Sequence, residues 1–496
     1  MYLTQDYGYV LHAFRKNAWS SAIWVAGLLI SGCERGEALE NQAPDTHLAV
    51  KSIERSGADR LNSKVQMSWY GTDIDGYITG YALSLDSLNW KLTTSQDSTF
   101  LFSIPAGSDT ADITLYIRAI DNQGAEDPSP AKLVFPLKNA PPVAEVNQES
   151  QSLGQALGVL TYRWTATDPD GNESISGAEI RFNGGNWIPI DPKQPMLTFV
   201  LEPDAGGGMG TTASLYYGNA LQPTANGIEG LVENAENIFQ VRISDIAGAV
   251  SAVDSALAVT LVRPTSDLLM VSGQTAAVTA SYQGWLDSIS VSYDILDLNA
   301  NGGELRPYYW NPTFRHILSQ YDRVLAVTNS DNALDPVSGT TQPLLAHMAA
   351  ALQSFTTQGG KLMTSTAFGP NTDFTPYIGA FPMDGIVTSS GQVRLVPDSA
   401  LVPQVAGLYP DLHPASIVIG ISPLVASADA QPFYRAQLTK LSGWQGDNLV
   451  AVRRAYLGNN IHINEVFFSV ELHRVASSNQ AMQDLLEEIL VNDFAW

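Results

Sequence analysis

Two rhythms of apolar residues run along this chain. Up to about residue 264 the period is two: Val65, Met67 and Trp69 alternate with polar neighbours, as do Leu115, Ile117 and Ala119, and again Phe239, Val241 and Ile243. Successive strand side chains point to opposite faces, so this alternation predicts antiparallel sheets with one face buried. Beyond Pro264 the rhythm changes. Residues 268–271, 293–296 and 323–327 are short continuous apolar runs, the pattern of strands covered on both faces. Leu344, Leu345, Met348, Leu352 and Phe355 then share one side of a predicted helix, with Thr341 as its N-cap and Pro343 in its first turn. Gly359-Gly360 ends it and Lys361-Leu362-Met363 opens the next strand. A final amphipathic helix is read through Met482, Leu485, Leu486, Ile489 and Leu490. Strands alternating with helices predict a mostly parallel sheet with right-handed crossovers. From about residue 385 to 471 the chain reads as further strands and loops without an assigned place.

The alternating half repeats itself. Trp69, Asp73, Asp75 and Gly76 in W-Y-G-T-D-I-D-G match Trp164, Asp168, Asp170 and Gly171 in W-T-A-T-D-P-D-G. Asn89-Trp90 matches Asn186-Trp187, and Arg118, Asp121 and Gly124 in R-A-I-D-N-Q-G match Arg242, Asp245 and Gly248 in R-I-S-D-I-A-G. Matched clusters in one order indicate a duplication. Copies of around a hundred residues, with short strands and an early tryptophan, predict two β-sandwiches, at 47–140 and 141–264. The pairing of W-x-G-x-D-x-D-G with R-A-x-D-N-x-G resembles fibronectin type III-like domains of bacterial surface proteins, over roughly residues 47 to 264. The second copy departs from that pattern with Gly206-Gly207-Gly208-Met209-Gly210, inside a longer excursion over 203–237 that is expected to be tolerated surface chain. Asn139-Ala140-Pro141-Pro142 joins the copies, its prolines stiffening the link.

The C-terminal part, 265–496, is expected to be an α/β head. Tyr321-Asp322-Arg323-Val324-Leu325 before one strand and Gly359-Gly360-Lys361-Leu362 before another resemble a flavodoxin-like or class I glutamine-amidotransferase-like domain, over about residues 265 to 385. That resemblance implies a nucleophilic cysteine on the turn after the strand following Gly-Gly. Here the position falls near Thr366 in M-T-S-T-A-F-G, which holds no thiol. A hydroxyl there needs a paired base and an oxyanion hole. Ser365 and Thr366 are the candidate nucleophiles, His413 and His462 the candidate bases, and Asp411 and Glu465 the candidate orienting acids. No G-x-S-x-G elbow is present. In His462-Ile463-Asn464-Glu465 strand alternation puts His462 and Asn464 on one face and Glu465 on the other. Turn and packing duties are the competing reading for all of these.

Composition places the chain in a compartment more firmly than it assigns a task. Arg15 and Lys16 precede the mostly apolar residues 18–30, and Ser31-Gly32-Cys33 follow. A charged start, an apolar run too short to cross a bilayer and small residues before a cut read as an export signal over 1–32. Ile30-Ser31-Gly32-Cys33 resembles a bacterial lipobox, which implies that Cys33 is lipidated and becomes the mature N-terminus. Residues 33–46 then form a flexible tether. Cys33 is the chain's one cysteine, so no disulfide framework or thiol chemistry is expected elsewhere.

The formal charge of −24, from 50 acidic and 26 basic residues, argues against nucleic acid as a partner. The seven histidines show no metal-ligand spacing. Calcium is the one cofactor considered, held by Asp73, Asp75 and Asp121 in the first copy and Asp168, Asp170 and Asp245 in the second. The alternative is that these aspartates bond backbone amides in tight turns. Trp90 and Trp187 are candidates for stacking on a sugar ring, against a packing role. The expected function is a non-enzymatic envelope lipoprotein, with the outer membrane favoured. Its spacers would present the head to an envelope protein or glycan. A surface hydrolase with a Ser- or Thr-based site is the alternative, and a purely structural scaffold the third.

Overall fold

In the computed structural model of the chain, residues 40–52, 64–102, 104, 108–150, 154–203, 209–303, 305–387, 392–405, 409–441 and 443–496 are described. The leader, Cys33 and most of the tether lie outside them, as do Gly206, Gly207 and Gly208. The chain divides into two compact units. The smaller holds Met1–His47, Trp69–Ser95 and Tyr116–Ala131; the larger holds Leu48–Ser68, Gln96–Leu115 and Lys132–Trp496.

In the smaller unit, strand Ile78–Ser84 pairs antiparallel with Lys91–Thr93 and with the end of the long strand Thr110–Asp121, Ser84 lying opposite Tyr116 and Ile78 opposite Asp121. Alternation puts Trp69, Tyr81, Ile117 and Ala119 inside. The Trp69 ring meets Tyr81 edge-on at 6.3 Å.

The larger unit opens with an antiparallel pairing of Lys64 to Ser68 against Leu101 to Asp97. The second repeat follows. Its five-stranded antiparallel sheet runs in the order Ala225–Ile228, Met209–Tyr217, Met196–Pro203, Val159–Thr167, Val143–Val146. A four-stranded sheet runs Ile188–Ile190, Ile175–Phe182, Phe239–Asp245, Asp254–Ser255. Trp164, Tyr162, Ile180, Phe182, Phe199, Phe239 and Val241 belong to one buried cluster. Tyr162 stacks on Phe239 at 4.3 Å. The excursion over 203–237 is not simply surface chain. Ala213 and Leu215 point inward between polar neighbours, so this stretch supplies two strands of the larger sheet. Glu202 pins them, accepting hydrogen bonds from Thr212, Ser214 and the Gly227 amide.

The head is built on one eight-stranded mixed sheet. In chain order its strands are β1 Leu268–Gly273, β2 Asp294–Asp297, β3 Arg323–Thr328, β4 Lys361–Ser365, β5 Leu401–Pro403, β6 Ala430–Ala436, β7 Leu449–Ala455 and β8 Ile463–Phe468. Their spatial order is β2-β1-β3-β4-β8-β7-β6-β5. The first five in that order are parallel, and β7, β6 and β5 continue antiparallel. The stretch from about residue 385 to 471, unplaced by its pattern, thus supplies β5, β6, β7 and β8 of the sheet. The continuous apolar runs are explained by its two covered faces. Leu268, Met270, Leu325 and Met363 pack toward α1 (Ala276–Ser288) and α3 (Asn479–Glu487), while Leu269, Val271, Val324 and Leu362 pack toward α2 (Leu344–Thr357). Helix α2 starts on Pro343, not on a Thr341 cap, because Thr341–Pro343 is a short strand bonded to Asn332–Leu334. Ser478 caps α3, accepting from the Ala481 amide at 3.2 Å. Val159, from the second repeat, is buried in the α2-side core of the head. Thr313 donates to Thr161 at 2.7 Å across the same contact, and Gln320 to the Leu157 carbonyl at 3.0 Å.

Candidate functional site

The residues expected to carry chemistry in the head do other work. Ser365, the last residue of β4, is buried; its Oγ donates to the Val470 carbonyl at 3.2 Å and accepts from the Leu472 amide at 3.0 Å. Thr366 accepts from the Thr328 hydroxyl at 2.9 Å, so the ends of β3 and β4 are tied together. Among the described residues no histidine hydrogen-bonds either hydroxyl. His413 is exposed, with Nδ1 3.0 Å from the Ser399 carbonyl, and His462 is an exposed ring stacked on Trp496 at 5.1 Å. Asp411 is exposed. Asn464 shares the buried end of β8, donating to the Thr356 carbonyl at 2.9 Å. Glu465 is buried against Arg454 at 2.6 Å, and burial pushes its carboxyl up to about 7 despite that guanidinium. These side chains are not brought together into a nucleophile, base and acid.

In the repeats the matched motifs meet in space. Arg118 lies over the Trp90 ring at 4.0 Å and pairs with Glu126 at 2.8 Å. In the second copy Arg242 lies over Trp187 at 4.2 Å and pairs with Glu179 at 2.7 Å, and Arg181 also reaches that ring at 4.3 Å. Each tryptophan therefore has guanidinium against its face, a cation–π contact that joins two of the matched clusters.

The aspartates that close the motif bond amides. Asp121 accepts from the Gln123 and Ala125 amides, both at 2.8 Å, and from the Asn41 side chain at 2.6 Å. Burial works to raise Asp121, but Asn41 and the loop amides overcome it and hold the carboxyl below its usual range. Asp245 accepts from the Ala249 amide at 2.9 Å and from Asn139 at 2.5 Å. Gly124 and Gly248 take φ of 85° and 94°, where a side chain would be strained. The D-x-D-G acids act alike: Asp75 receives the Gln42 amide at 3.0 Å and Asp170 the Ala140 amide at 2.7 Å. Asp73 and Asp168 accept from the amides of Asp75 and Asp170. Burial, reinforced by Asp170 and Asp245, raises Asp168. Among the described residues no group of three acidic, histidine or cysteine side chains is arranged to hold a metal. Asn41 and Asn139 belong to the motif but were missed in the sequence, because they stand 80 and 106 residues before Asp121 and Asp245, the aspartates they bond.

A crevice does open at the C-terminal end of the parallel strands. It has a volume of 360 Å³ and is lined by Asn299, Arg306, Asn329, Asp331, Asn332 and the N-terminal Leu344 of α2. Neighbouring β1 and β3 lead away to opposite sides of the sheet, and open α/β sheets bind ligands at such a switch point. Asn299, two residues beyond β2, donates to the Gly273 carbonyl at 2.8 Å and accepts from Arg306 at 2.6 Å. Arg306 also donates to the Leu298 carbonyl at 2.7 Å, so among the described residues its hydrogen-bond partners are neutral. Asn329, immediately after β3, donates to Asp331 at 2.7 Å. His347 holds the wall: its Nε2 bonds the Ala333 carbonyl at 2.9 Å, and the ring stacks on Trp310 at 5.7 Å. The crevice thus offers planar amides, a guanidinium and a carboxylate on a braced frame, groups suited to hydrogen-bonding a polar ligand.

Comparison with known proteins identifies no family for the chain. No family model matches the chain, and no curated protein matches it. Solved structures similar to it include the fibronectin(III)-like modules of Clostridium thermocellum CbhA, at 13% identity, covering 44% of this chain and 95% of that one, with a TM-score of 0.18. The PKD1 domain of Vibrio anguillarum Epp aligns at 19% identity over 20% of this chain and 98% of its own, with a TM-score of 0.15. Carbohydrate-binding modules of the β-sandwich superfamily align at 14% identity over 44% of this chain and 99% of theirs, with a TM-score of 0.17.

The crevice residues carry no repeat and no recognisable spacing, which is why sequence reading passed over them. Their one legible signal is position: Asn299 and Asn329 stand just past strands of an α/β pattern, where ligand contacts collect.

Proposed function

We propose that this chain is a lipid-anchored, non-enzymatic binding protein of the bacterial envelope, whose head takes a neutral glycan in the crevice at the C-terminal ends of its parallel strands. The observation that carries this reading is the pairing of a polar, braced crevice with hydroxyls that are buried in packing bonds. Asn299, Arg306, Asn329 and Asp331 supply donors and acceptors for sugar hydroxyls in a volume of 360 Å³, about the size for one or two rings. The parallel order β2-β1-β3-β4-β8 supports a flavodoxin-like head, since 2-1-3-4-5 is the order of that fold. The lipobox-like Ile30-Ser31-Gly32-Cys33 supports anchoring through Cys33, and the repeats would serve as spacers.

The test is a titration of the whole protein with neutral oligosaccharides from envelope polysaccharides, read by calorimetry. Arg306→Gln and Asn329→Ala are expected to abolish a binding shown by the wild type. Binding untouched by both variants would sink the crevice assignment. Turnover of esters or amides that Ser365→Ala removes would replace the binding reading with the hydrolase one.

A further inference from the structure

A cleft larger than the crevice lies at the other end of the parallel sheet. It has a volume of 640 Å³ and is lined by Tyr216 and Gln222 of the second repeat together with Arg315, Ser319, Phe355 and Gln358 of the head. Its location is unusual for the fold, because Asp322 precedes β3 and Gly360-Lys361 lead into β4. The generic ligand edge of the sheet is the opposite one.

Arg315 is what makes this cleft more than a seam. Its guanidinium donates to the Ala220 carbonyl at 2.8 Å, to the Asn219 carbonyl at 3.4 Å and to His316 Nε2 at 3.2 Å. All three partners are neutral, for burial and the adjacent Arg315 push His316 down to about 4. An arginine has no acceptor of its own, so at neutral pH this contact makes Nε2 the acceptor. By contrast Arg118, Arg242, Arg323 and Arg454 all pair with carboxylates. In a chain of 50 acidic and 26 basic residues, a cation that lines a cleft and has no carboxylate partner among the described residues is a place where an anion gains most. Lys361 also lines the cleft, its ammonium held by the main-chain oxygen of Trp496 at 2.6 Å, and Asp322 is the acid in the lining. Contacts on either side fix the segment that carries Arg315: the His316 ring packs tilted against Tyr216 at 4.3 Å and Thr313 bonds Thr161 at 2.7 Å. The same cleft is lined by an aromatic phenol, two side-chain amides and a hydroxyl, from Tyr216, Gln222, Gln358 and Ser319, groups that suit a ring bearing several hydroxyls.

We propose that this cleft is a second binding site, specific for a saccharide that carries a carboxylate, with the guanidinium of Arg315 receiving the acid group. The planar fork of arginine matches a carboxylate in a way that a lysine cannot. The site stands independently of the crevice, and its ligand differs from the neutral glycan placed there.

The experiment titrates the whole protein with a glucuronate-terminated disaccharide, its glucose-terminated neutral analogue and inorganic phosphate. The glucuronate sugar is expected to bind, with the neutral analogue and phosphate each at least about 10-fold weaker. Arg315→Gln and Arg315→Lys are each expected to weaken it about 10- to 100-fold, because a charge-assisted fork is lost in both. Since Arg315 also braces the Asn219 and Ala220 carbonyls, Ser319→Trp provides a second probe: it fills the cleft from an exposed position and must abolish binding in a folded protein. Equal affinity for the neutral analogue would overturn the anion requirement. Phosphate binding as tightly as the sugar would overturn the saccharide. No glucuronate binding, or binding that survives both Arg315→Gln and Ser319→Trp, would overturn the site.

Discussion

Single side chains in this protein carry charge into places where water is scarce, and two of them give the pH response a sign. Glu465 is fully buried and its carboxyl is raised from 4.5 to about 7, chiefly by burial. A raised folded value means that the folded state holds the proton more tightly than the unfolded chain. Its contribution is therefore complete below about 4.5 and is lost as pH climbs toward 7, a change of up to about 3 kcal/mol. Urea unfolding between pH 5 and 8 should show this slope in the wild type, and Glu465→Gln should flatten it. His316 runs the other way. Its lowered value, about 4 against 6.5, gives stability that is present above 6.5 and fades as pH falls through 4. Asn139 is uncharged but supports a buried charge, donating to Asp245. Asn139→Ala should destabilise the second repeat by about 1–3 kcal/mol, the cost of a buried carboxylate oxygen left without its donor, as measured by denaturant midpoint. Because the repeat aspartates are spent on amides, calcium addition should leave the melting temperature unmoved.

At the scale of elements, each repeat is organised by a buried tryptophan inside and a tryptophan–arginine pair outside. Trp69 and Trp164 are 2% and 1% exposed, which puts both in the core and neither on a ligand face. Trp69→Ala and Trp164→Ala should each cost about 3–5 kcal/mol, read as a loss of the corresponding unfolding transition. Trp187→Ala should cost only about 1–2 kcal/mol, since it removes a half-exposed cation–π contact rather than core volume. A loss for Trp187 as large as for Trp164 would show that the guanidinium stack is structural in a way its exposure does not suggest. In the head, the strands gain their order from apolar residues on both faces, while β5, β6 and β7 complete the sheet beyond β8.

At the scale of the larger unit, the second repeat and the head share buried surface. Val159 sits in the head's core at 2% exposure, and the Thr313–Thr161 and Gln320–Leu157 bonds cross the same boundary. Two modules with a common core should unfold together, not as beads. Val159→Ala is expected to cost about 2 kcal/mol and to lower the melting of repeat and head in step, checked by calorimetry with a fluorescence probe in each. Independent transitions for the two would refute the shared core. Anchoring belongs to this scale too. Under the proposed lipid anchor, Cys33→Ser should move the protein out of the membrane fraction, because no described helix is long and apolar enough to cross a bilayer.

What the sequence by itself determined is whatever repeats or keeps a period. Alternation marked Val65, Met67 and Trp69 as inward-facing, and continuous runs marked β1 and β3 as strands covered on both faces, since local geometry alone imposes those spacings. The matched motifs announced a duplication, though not that Arg118 would lie on Trp90 or that Asn41 and Asn139 would close the aspartate turns. The period in Ala213 and Leu215 was legible and was masked by the glycines before it. Tertiary structure alone decided the rest. The same hydroxyl of Ser365 is a nucleophile beside a histidine and a packing bond beside Val470 and Leu472, and which neighbour it meets is settled by contacts 105 and 107 residues away. Arg306 and Arg315 look like any other arginines in the chain. Only folding sets them in the linings of clefts, because the segments that form a cleft, such as Ala220 and Arg315, meet across distances in sequence that no local pattern encodes.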